Sequence, residues 1–476
     1  MSLEKRTVSA FRWSGLERLA QGISGTIVQL ILARILAPED FGLIAMLVIF
    51  LELGRSLVDS GFSAALIQRR EVSRTDLSSV FFFNLIVATG LSLLLTVFAP
   101  YVAAFYCQPL LRYMLAVLSL RLILDALGTV HAAILSRRLE IRALAASRVP
   151  ATVVGGITGV VLAFAGFGGW ALIGQVLVQA ACRSALLWYR SDWRPSLGLK
   201  MDSLRKLTPF GSRLLAAALL DKLGRNIYLA IIGKRFAPAA LGFYYQARKY
   251  QAAPSMPVER VLNHVLLPVF SSVQNNRPRL LRGAAKGTRI LAFAYFPAIV
   301  GLIATAEALI EVLVTAKWLP AVPYFRLLCL SSLFSPLYAL NHGIIKAKGA
   351  AGSVLRIEVV KRVIEFSLLL VTFRWGISWM ISGQIIASLL GWALSCRYTH
   401  KLIGFGLSRQ LRESSPYLVL ASGMGVAVYS LRLLDLQPLP VLAVQVVVGA
   451  SLYLAAAFAA KLPATRESIE LLRQLD

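Results

Sequence analysis

The sequence is poor in charge, and the charge it carries is mostly of one sign. Only 15% of its 476 residues are Asp, Glu, Lys or Arg, whereas 57% belong to the apolar set, and the mean hydropathy is +0.70. A soluble globular chain carries about 25% charged and roughly 45–50% apolar residues. This composition excludes a string of soluble domains.

Cysteines, histidines and the motifs of common active sites are also scarce. The four cysteines lie far apart, without the paired spacing of a metal or redox motif. Four scattered histidines occur, and there is no HExxH, P-loop or GxSxG sequence. Glu17 and Arg18 interrupt the first apolar stretch, so a cleavable signal peptide is not expected. The sequence predicts no catalytic residue, no metal and no cofactor.

In place of charge, the sequence has long apolar runs. Residues 77–111 and 149–182 contain no charged side chain. About 20 apolar residues cross the hydrocarbon core of a bilayer, so each run must contain a turn and continue into a second span. Apolar runs bounded by charge clusters and Gly/Pro turns predict an all-α, polytopic membrane protein with about fourteen transmembrane helices.

The net charge of +27 comes from 50 Lys and Arg against 23 Asp and Glu. In a soluble chain this excess would indicate nucleic-acid binding, but here the bases form short clusters between apolar spans. Alternate connecting segments, both termini included, hold 27 bases, and the intervening segments hold 7. The positive-inside rule therefore predicts that both termini are cytoplasmic and attributes most of the net charge to topology.

A short turn sequence occurs twice. Residues 34–42 read RILAPEDFG and residues 234–242 read KRFAPAALG, so a base, the Ala-Pro pair and the Gly match at identical spacing. Coincidence at a Pro/Gly turn is the simpler alternative. However, the two turns lie an even number of predicted spans apart and on the same membrane face, which favours a parallel repeat.

Ionisable residues inside the predicted spans concentrate in the two span pairs that flank the repeated turn. Such residues cost roughly 2.5–3.5 kcal/mol each on insertion scales, so they usually face a cavity or a partner. The bases in these four spans are Arg18, Arg55, Arg213, Lys222, Arg225, Arg248, Lys249 and Arg260. The acids are Glu17, Glu52, Asp59, Asp221 and Glu259. The surplus of bases, most of them Arg, predicts a wet cationic cavity that receives an anionic head group.

Neutralisation by neighbouring acids is the alternative. Glu52, Arg55 and Asp59 share one helical face at spacings of three and four, and Asp221 can pair with Arg225 one turn on. Such pairs would make these residues structural.

Other polar features of the spans are expected to be structural. Arg121 and Asp125 are expected to pair along their own helix, and Gly155 and Gly159 to form a helix-packing contact. The charged stretch 356–365 predicts either a second polar face or a partly extramembrane segment.

Several segments carry a family resemblance. They are LAPEDFG at 36–42, ELGRSLVDSGFSAALIQ at 52–68, LPVFS at 267–271 and KWLPAVP at 317–323. With these segments the chain resembles, up to about Arg397, the bacterial polysaccharide flippases (Wzx-like, O-antigen or colanic acid exporter type) of the multidrug/oligosaccharidyl-lipid/polysaccharide exporter superfamily.

The resemblance implies two six-helix lobes in parallel repeat plus a C-terminal helix pair. On this chain the expected divisions are an N-lobe at 1–189, a cytoplasmic linker at 190–207, a C-lobe at 208–396, and helices 13 and 14 with a cytoplasmic tail at 397–476.

The resemblance also implies a function, namely translocation of a polyprenyl-diphosphate-linked oligosaccharide across the bacterial inner membrane. Its expected partners are that lipid, membrane lipid, a polysaccharide polymerase and glycosyltransferases. The expected head-group contacts are Arg18, Arg55, Arg213, Lys222, Arg225, Arg248 and Lys249. Asp59 and Asp221 are the candidates for ion coupling.

Two other functions remain open from the sequence. A drug or metabolite exporter of the same superfamily would favour an acidic or aromatic cavity. A membrane glycosyltransferase or polymerase would need a sizeable extramembrane loop or an acidic metal site, and the chain has neither a DxD triplet nor a long loop.

Overall fold

The computed structural model describes residues 21–22, 24–69, 72–196, 200–433 and 437–467. Many side chains between 202 and 217, and between 254 and 265, lie outside the described part. Every regular element within the described residues is a helix. The prediction of an all-α fold is therefore confirmed.

Contacts divide the chain into two compact units, Met1–Gly242 and Phe243–Asp476. The helices of unit 1 are α1 Ser24–Ile35, α2 Pro38–Asp59, α3 Phe62–Gln68, α4 Arg74–Tyr106, α5 Leu111–Arg137, α6 Ile141–Phe164, α7 Gly169–Arg190 and α8 Met201–Arg235.

Helix α9, Pro238–Ser272, begins in the last residues of unit 1 and continues into unit 2. The remaining helices of unit 2 are α10 Arg277–Ala304, α11 Ala306–Val314, α12 Val322–Ser332, α13 Ser335–Ala347, α14 Ala351–Thr372, α15 Ile377–Ile403, α16 Leu407–Ser430 and α17 Pro438–Ala459. Short 3₁₀ helices lie at Ala316–Ala321 and Leu431–Leu433.

The chain is a multi-pass membrane protein. Among the described residues, ten helical segments are long and apolar enough to cross a membrane, and α1 is apolar but shorter. Helices α8, α9 and α14 have 35, 35 and 22 residues, but their charged side chains lower their hydropathy. The total of fourteen spans stays a prediction.

The polar ends of the helices follow from local sequence. Helix α2 begins at Pro38, whose missing N–H suits the first helical position, and the Ala37 N–H donates to the Asp40 carboxylate at 3.0 Å. Helix α4 begins with a reciprocal cap, in which Ser73 and Asp76 each accept the other's backbone N–H at 3.0–3.1 Å.

Unit 1 packs closely because glycines face neighbouring helices. A Cβ added at Gly155 of α6 would lie 2.7 Å from the Gln175 carbonyl oxygen of α7, and one at Gly159 would lie 2.8 Å from the Gln175 Cβ. The predicted packing contact is therefore present. Helix α2 packs against α4, α5, α7 and α8, which groups α8 with the first unit. The sequence-based divisions at 189, 207 and 396 stay predictions.

The two copies of the repeated turn lie against each other within unit 1. A Cβ added at Gly42 would lie 1.8 Å from the Pro238 carbonyl oxygen, and one at Gly242 would lie 1.9 Å from the Pro38 carbonyl oxygen. The contact is reciprocal, and it requires the absence of a side chain at both glycines.

Unit 2 contains a fully buried polar network. The Asn341 amide of α13 donates to Gln410 of α16 at 3.2 Å and to Ser395 of α15 at 2.8 Å. Gln410 also accepts a hydrogen bond from the Trp392 indole N–H at 3.1 Å. These bonds satisfy polar groups that burial would otherwise penalise, and they fix three helices together.

The C-terminal end of the described chain is held by one arginine. Arg289 of α10 donates to Glu413 of α16 at 2.7 Å and contacts both carboxylate oxygens of Glu467. Ala464, which is fully buried, donates its N–H to the Tyr417 hydroxyl at 3.1 Å.

Candidate functional site

A polar cavity of about 540 Å³ lies within unit 1. Helices α2, α3, α5, α7 and α8 all contribute to its wall. Its ionisable lining residues are Glu52, Arg55, Asp59, Asp125, Arg183 and Lys222. Charged side chains amid apolar helices are expected to face a cavity or a partner, because lone charges in contact with lipid are costly.

Helix α2 supplies one side of the cavity through a single charged face. Glu52, Arg55 and Asp59 follow one another at spacings of three and four and all line the cavity, as their shared helical face predicts. The glycine beside them allows close approach, since a Cβ at Gly54 would lie only 3.0 Å from the Leu122 side chain of α5. This closeness brings Arg55 within reach of α5.

Asp125 of α5 lies between two guanidinium groups. Its Oδ2 is 3.0 Å from Arg55 Nε and 3.4 Å from Arg121 Nε. The expected pairing of Arg121 with Asp125 is present, and Arg55 from α2 shares the same oxygen. Arg55 also lies 3.8 Å from Glu52.

A second ion pair joins α2 to α8. Lys222 Nζ contacts Glu52 Oε2, and both side chains line the cavity. Asp59 also lines the cavity and accepts a hydrogen bond from the Ser63 hydroxyl, one turn on in α3. The cavity therefore contains three of the predicted site residues, Arg55, Lys222 and Asp59.

The other predicted site residues lie elsewhere. Asp221 and Arg225 pair with each other at 2.9 Å on α8, where their side chains are 43% and 59% exposed. Arg248 and Lys249 lie on the part of α9 that belongs to unit 2. Arg18 lies outside the described residues, as does the side chain of Arg213.

One cavity residue, Arg183 of α7, was missed by the sequence reasoning. Helix α7 is fixed against α5 nearby, where the Trp188 indole donates to the Leu127 carbonyl at 2.8 Å. Among the described residues, the buried Arg183 Nε has no hydrogen-bond partner. The signal was present in the sequence, because Arg183 is the only Asp, Glu, Lys or Arg residue between 169 and 189.

The charged stretch of α14 lies on a continuous helix in unit 2 and makes polar contacts. The Tyr338 hydroxyl of α13 donates to Glu358 at 2.9 Å, and Arg362 donates to Glu365 at 3.0 Å. Val363 of the same helix is 59% exposed. Both alternatives drawn from the sequence, a second polar face and a partly extramembrane segment, stay predictions.

A comparison with protein families identifies the chain. Residues 31–323, more than half of the sequence, match the model of a family described as "Polysaccharide biosynthesis protein". The chain belongs to the polysaccharide biosynthesis protein family. The matched region contains Arg55, Asp125, Arg183 and Lys222, and the resemblance drawn from the short motifs is confirmed.

Curated relatives extend the family match. The teichuronic acid biosynthesis protein TuaB of Bacillus subtilis is 26% identical over 355 residues, covering 74% of this chain and 73% of that protein. The lipopolysaccharide biosynthesis protein WzxC of Escherichia coli is 25% identical over 366 residues, covering 76% and 74%. The succinoglycan biosynthesis transport protein ExoT of Rhizobium meliloti is 28% identical over 301 residues, covering 63% and 61%.

Solved structures show the same fold. The chain is similar to the lipid II flippase MurJ in an inward closed conformation, with a TM-score of 0.75, 14% identity, and coverage of 95% of this chain and 99% of that one. It is also similar to an inward-facing multidrug resistance MATE family transporter, with a TM-score of 0.61, 15% identity, and coverage of 81% and 98%. At these identities the likeness establishes the fold.

Proposed function

We propose that the protein is a flippase. It translocates a polyprenyl-diphosphate-linked oligosaccharide repeat unit across the bacterial inner membrane by alternating access, and both of its termini are cytoplasmic. The product would serve the synthesis of a surface polysaccharide such as O-antigen, capsule or exopolysaccharide. Glycosyltransferases would assemble this substrate before transport, and a polysaccharide polymerase would use it afterwards.

The observation that carries this proposal is the polar cavity of unit 1. Arg55, Arg183 and Lys222 line it together, and the helices that carry Arg55 and Arg183 are long and apolar enough to cross a membrane. A diphosphate group is the anionic part of such a lipid, and the planar guanidinium fork suits its oxygens. The names of TuaB, WzxC and ExoT, all concerned with polysaccharide synthesis or transport, support the same substrate class.

The proposed substrate has three parts, and each needs a different environment. The diphosphate would contact the cavity bases, the sugars would remain in the wet cavity, and the polyprenyl tail would remain in lipid. Transport of this kind breaks no covalent bond, so the proposal assigns no catalytic residue, no metal and no cofactor.

A drug or metabolite exporter is the second candidate. The likeness to the MATE fold favours it, and the cavity acids Glu52, Asp59 and Asp125 could face a cationic compound. However, Glu52 and Asp125 are already engaged by Lys222, Arg55 and Arg121. A cation would therefore have to compete with these bases for the carboxylates, whereas an anion would bind to the bases themselves.

The proposal is tested by export from cells that lack their own copy of the gene. Arg55→Gln and Lys222→Gln should each lower surface polysaccharide about tenfold or more at normal protein level. A hydrogen bond to a charged group contributes about 1.5–3 kcal/mol, and about 1.4 kcal/mol corresponds to tenfold in binding. The matched control is Arg374→Gln, an exposed arginine that follows α14 in unit 2, which should export normally.

A reconstituted assay separates the two candidate functions. Proteoliposomes containing the purified chain should make a labelled polyprenyl-diphosphate-linked oligosaccharide accessible to an externally added lectin. Efflux of a cationic dye without lipid translocation would instead support the exporter and end the flippase proposal.

A further inference from the structure

Arg183 differs from the other bases of the cavity wall, Arg55 and Lys222, because it has no ion pair at contact distance among the described residues. Arg55 and Arg121 both face Asp125, and Lys222 contacts Glu52. For Arg183, in contrast, the described residues offer no ion pair at contact distance, and its Nε is buried without a hydrogen-bond partner. An unsatisfied guanidinium nitrogen on a cavity wall needs an acceptor.

Snorkelling to the membrane surface is the simple alternative for this arginine. Arg183 lies seven residues before the end of α7 at Arg190, about 10 Å along the helix axis. A long side chain could direct its head towards that end. Its Nε is buried, however, and the residue lines the cavity together with its neighbours Ser184 and Leu187.

The charges around Arg183 leave a local excess of bases. Its charge interacts with those of Arg148, Arg55 and Arg121, and with the one carboxylate of Asp125. Guanidinium groups from α2, α5 and α6 thus act on that of Arg183 in α7. The nearby carboxylates are those of Asp125 and of Glu52, which lies 3.8 Å from Arg55 and also contacts Lys222. An anion placed beside Arg183 would relieve the repulsion that these two carboxylates leave.

One oxygen of Asp125 has ion-pair contacts but no hydrogen bond. Its Oδ2 lies 3.0 Å from Arg55 Nε and 3.4 Å from Arg121 Nε, yet among the described residues no N–H or O–H group donates a hydrogen bond to it. The two guanidinium groups therefore lie beside a carboxylate oxygen to which neither donates a hydrogen bond. A diphosphate group offers more acceptor oxygens than a carboxylate and can bond each fork in a bidentate way.

We propose that Arg183, Arg121 and Arg55 form a diphosphate-binding site in unit 1, in which Asp125 occupies the place of the anion until the substrate displaces it. This inference rests on the proposed function and deepens it, because it assigns the head-group contact to α5 and α7 as well as α2. Asp125 lowers the repulsion among the bases when the site is empty. It also weakens the binding of the anion, which allows the substrate to leave.

The test measures binding of inorganic pyrophosphate to the full-length purified chain in nanodiscs by isothermal titration calorimetry at low salt. Arg183→Gln should raise the Kd about tenfold or more, and Arg183→Lys should give an intermediate Kd, because it keeps the charge but loses the fork. Asp125→Asn should lower the Kd severalfold, because it removes the competing carboxylate. The matched control is Arg190→Gln, an exposed arginine on the same helix, which should leave the Kd unchanged.

Opposing changes from two neighbouring positions separate a binding role from a folding role. If Arg183→Gln and Asp125→Asn acted only by unfolding the helices, both variants would have a lower melting temperature and would bind pyrophosphate more weakly. The proposal is overturned if Arg183→Gln binds pyrophosphate like the parent at an unchanged melting temperature, if Asp125→Asn binds it no more tightly, or if the parent chain does not bind it.

Two further measurements are needed. One identifies the source of the diphosphate, and the other distinguishes failure of the Arg183 site from failure of the proposed flippase function. Polyprenyl diphosphate in the nanodisc should compete with pyrophosphate; absence of competition would assign the site to a free diphosphate instead. Pyrophosphate binding that depends on Arg183 in a chain that moves no lipid would refute the flippase alone. Lipid translocation with normal pyrophosphate binding by Arg183→Gln would refute the Arg183 site alone.

Discussion

At the scale of single residues, two ion pairs between helices position four of the charged side chains of the cavity. Lys222 of α8 contacts Glu52 of α2, and Arg55 of α2 contacts Asp125 of α5. Spacing along one helix predicts pairs such as Arg121 with Asp125, which is present. The pairs between different helices depend on how the helices pack, and the spacing of residues within one helix does not specify that packing.

The close contact between α6 and α7 gives a prediction about one glycine. Gly155→Ala would place a Cβ 2.7 Å from the Gln175 carbonyl oxygen, so the two helices must separate. Overpacking of this kind costs about 1–3 kcal/mol. We expect a clear fall in the melting temperature of the purified protein, followed by tryptophan fluorescence in detergent.

The control for this substitution is a glycine with free space around it. A Cβ added at Gly90 in α4 meets no atom within 4 Å. Because alanine favours helices by about 1 kcal/mol over glycine, Gly90→Ala should leave stability equal or slightly higher. Equal melting temperatures for the two variants would show that the glycine face of α6 does not fix its distance from α7.

At the scale of helices, charged side chains lower the hydropathy of three long helices below that of the other spans. Helices α8, α9 and α14 are continuous, yet they are not among the segments selected as apolar spans. The expected start of the C-lobe, residue 208, lies within α8, which runs from Met201 to Arg235.

The last two helices are tied to the body of unit 2 at both ends of α16. At one end, Arg289 of α10 binds Glu413 and Glu467. At the other end, Glu307 of α11 lies 2.8 Å from Arg432, just beyond α16. The family match ends at residue 323, so these pairs attach a part of the chain that the family model does not cover.

Loss of the Arg289 ion pairs with Glu413 and Glu467 should loosen the C-terminal segment 462–467. Arg289→Gln leaves the carboxylates of Glu413 and Glu467 close together without their shared base, so the two should repel each other. We expect faster amide hydrogen exchange in residues 462–467, including Ala464, while the exchange in α10 itself changes little.

Arg282→Gln provides the comparison, because Arg282 lies on the same helix and is exposed. Its exchange pattern should match that of the parent protein. Unchanged protection of residues 462–467 in Arg289→Gln would mean that apolar packing, rather than the ion pairs, holds this segment.

At the scale of the whole chain, pattern and composition were sufficient for the fold class and the family. Long apolar runs and basic clusters predicted a multi-pass helical protein, and the short motifs predicted the family. The candidate site was predicted less completely. Arg55, Asp59 and Lys222 line the cavity, but Arg183 was missed because the search followed the spans beside the repeated turn.

The reciprocal contact of the repeated turns gives a prediction at this scale. Gly42→Ala and Gly242→Ala each place a Cβ within 2 Å of a backbone carbonyl oxygen on the other turn. Backbone atoms cannot rotate away as a flexible side chain can, so both variants should lower the melting temperature by a similar amount.

Gly301→Ala on α10 is a suitable comparison, since its added Cβ would meet only the Met424 side chain, at 3.8 Å. Gly301→Ala should therefore keep the parent's melting temperature. If the two turn variants melted at that same temperature, the two turns would not be in firm contact in the membrane-embedded protein.

The meeting of the two Pro–Gly turns has the geometry of an isologous interface contained within a single polypeptide. Each copy presents its proline carbonyl to the other copy's glycine, as identical subunits do across a two-fold axis. Selection at one position is therefore linked to the other, since a larger residue in either copy disturbs both. The two turns therefore constrain one another as the halves of a symmetric dimer would.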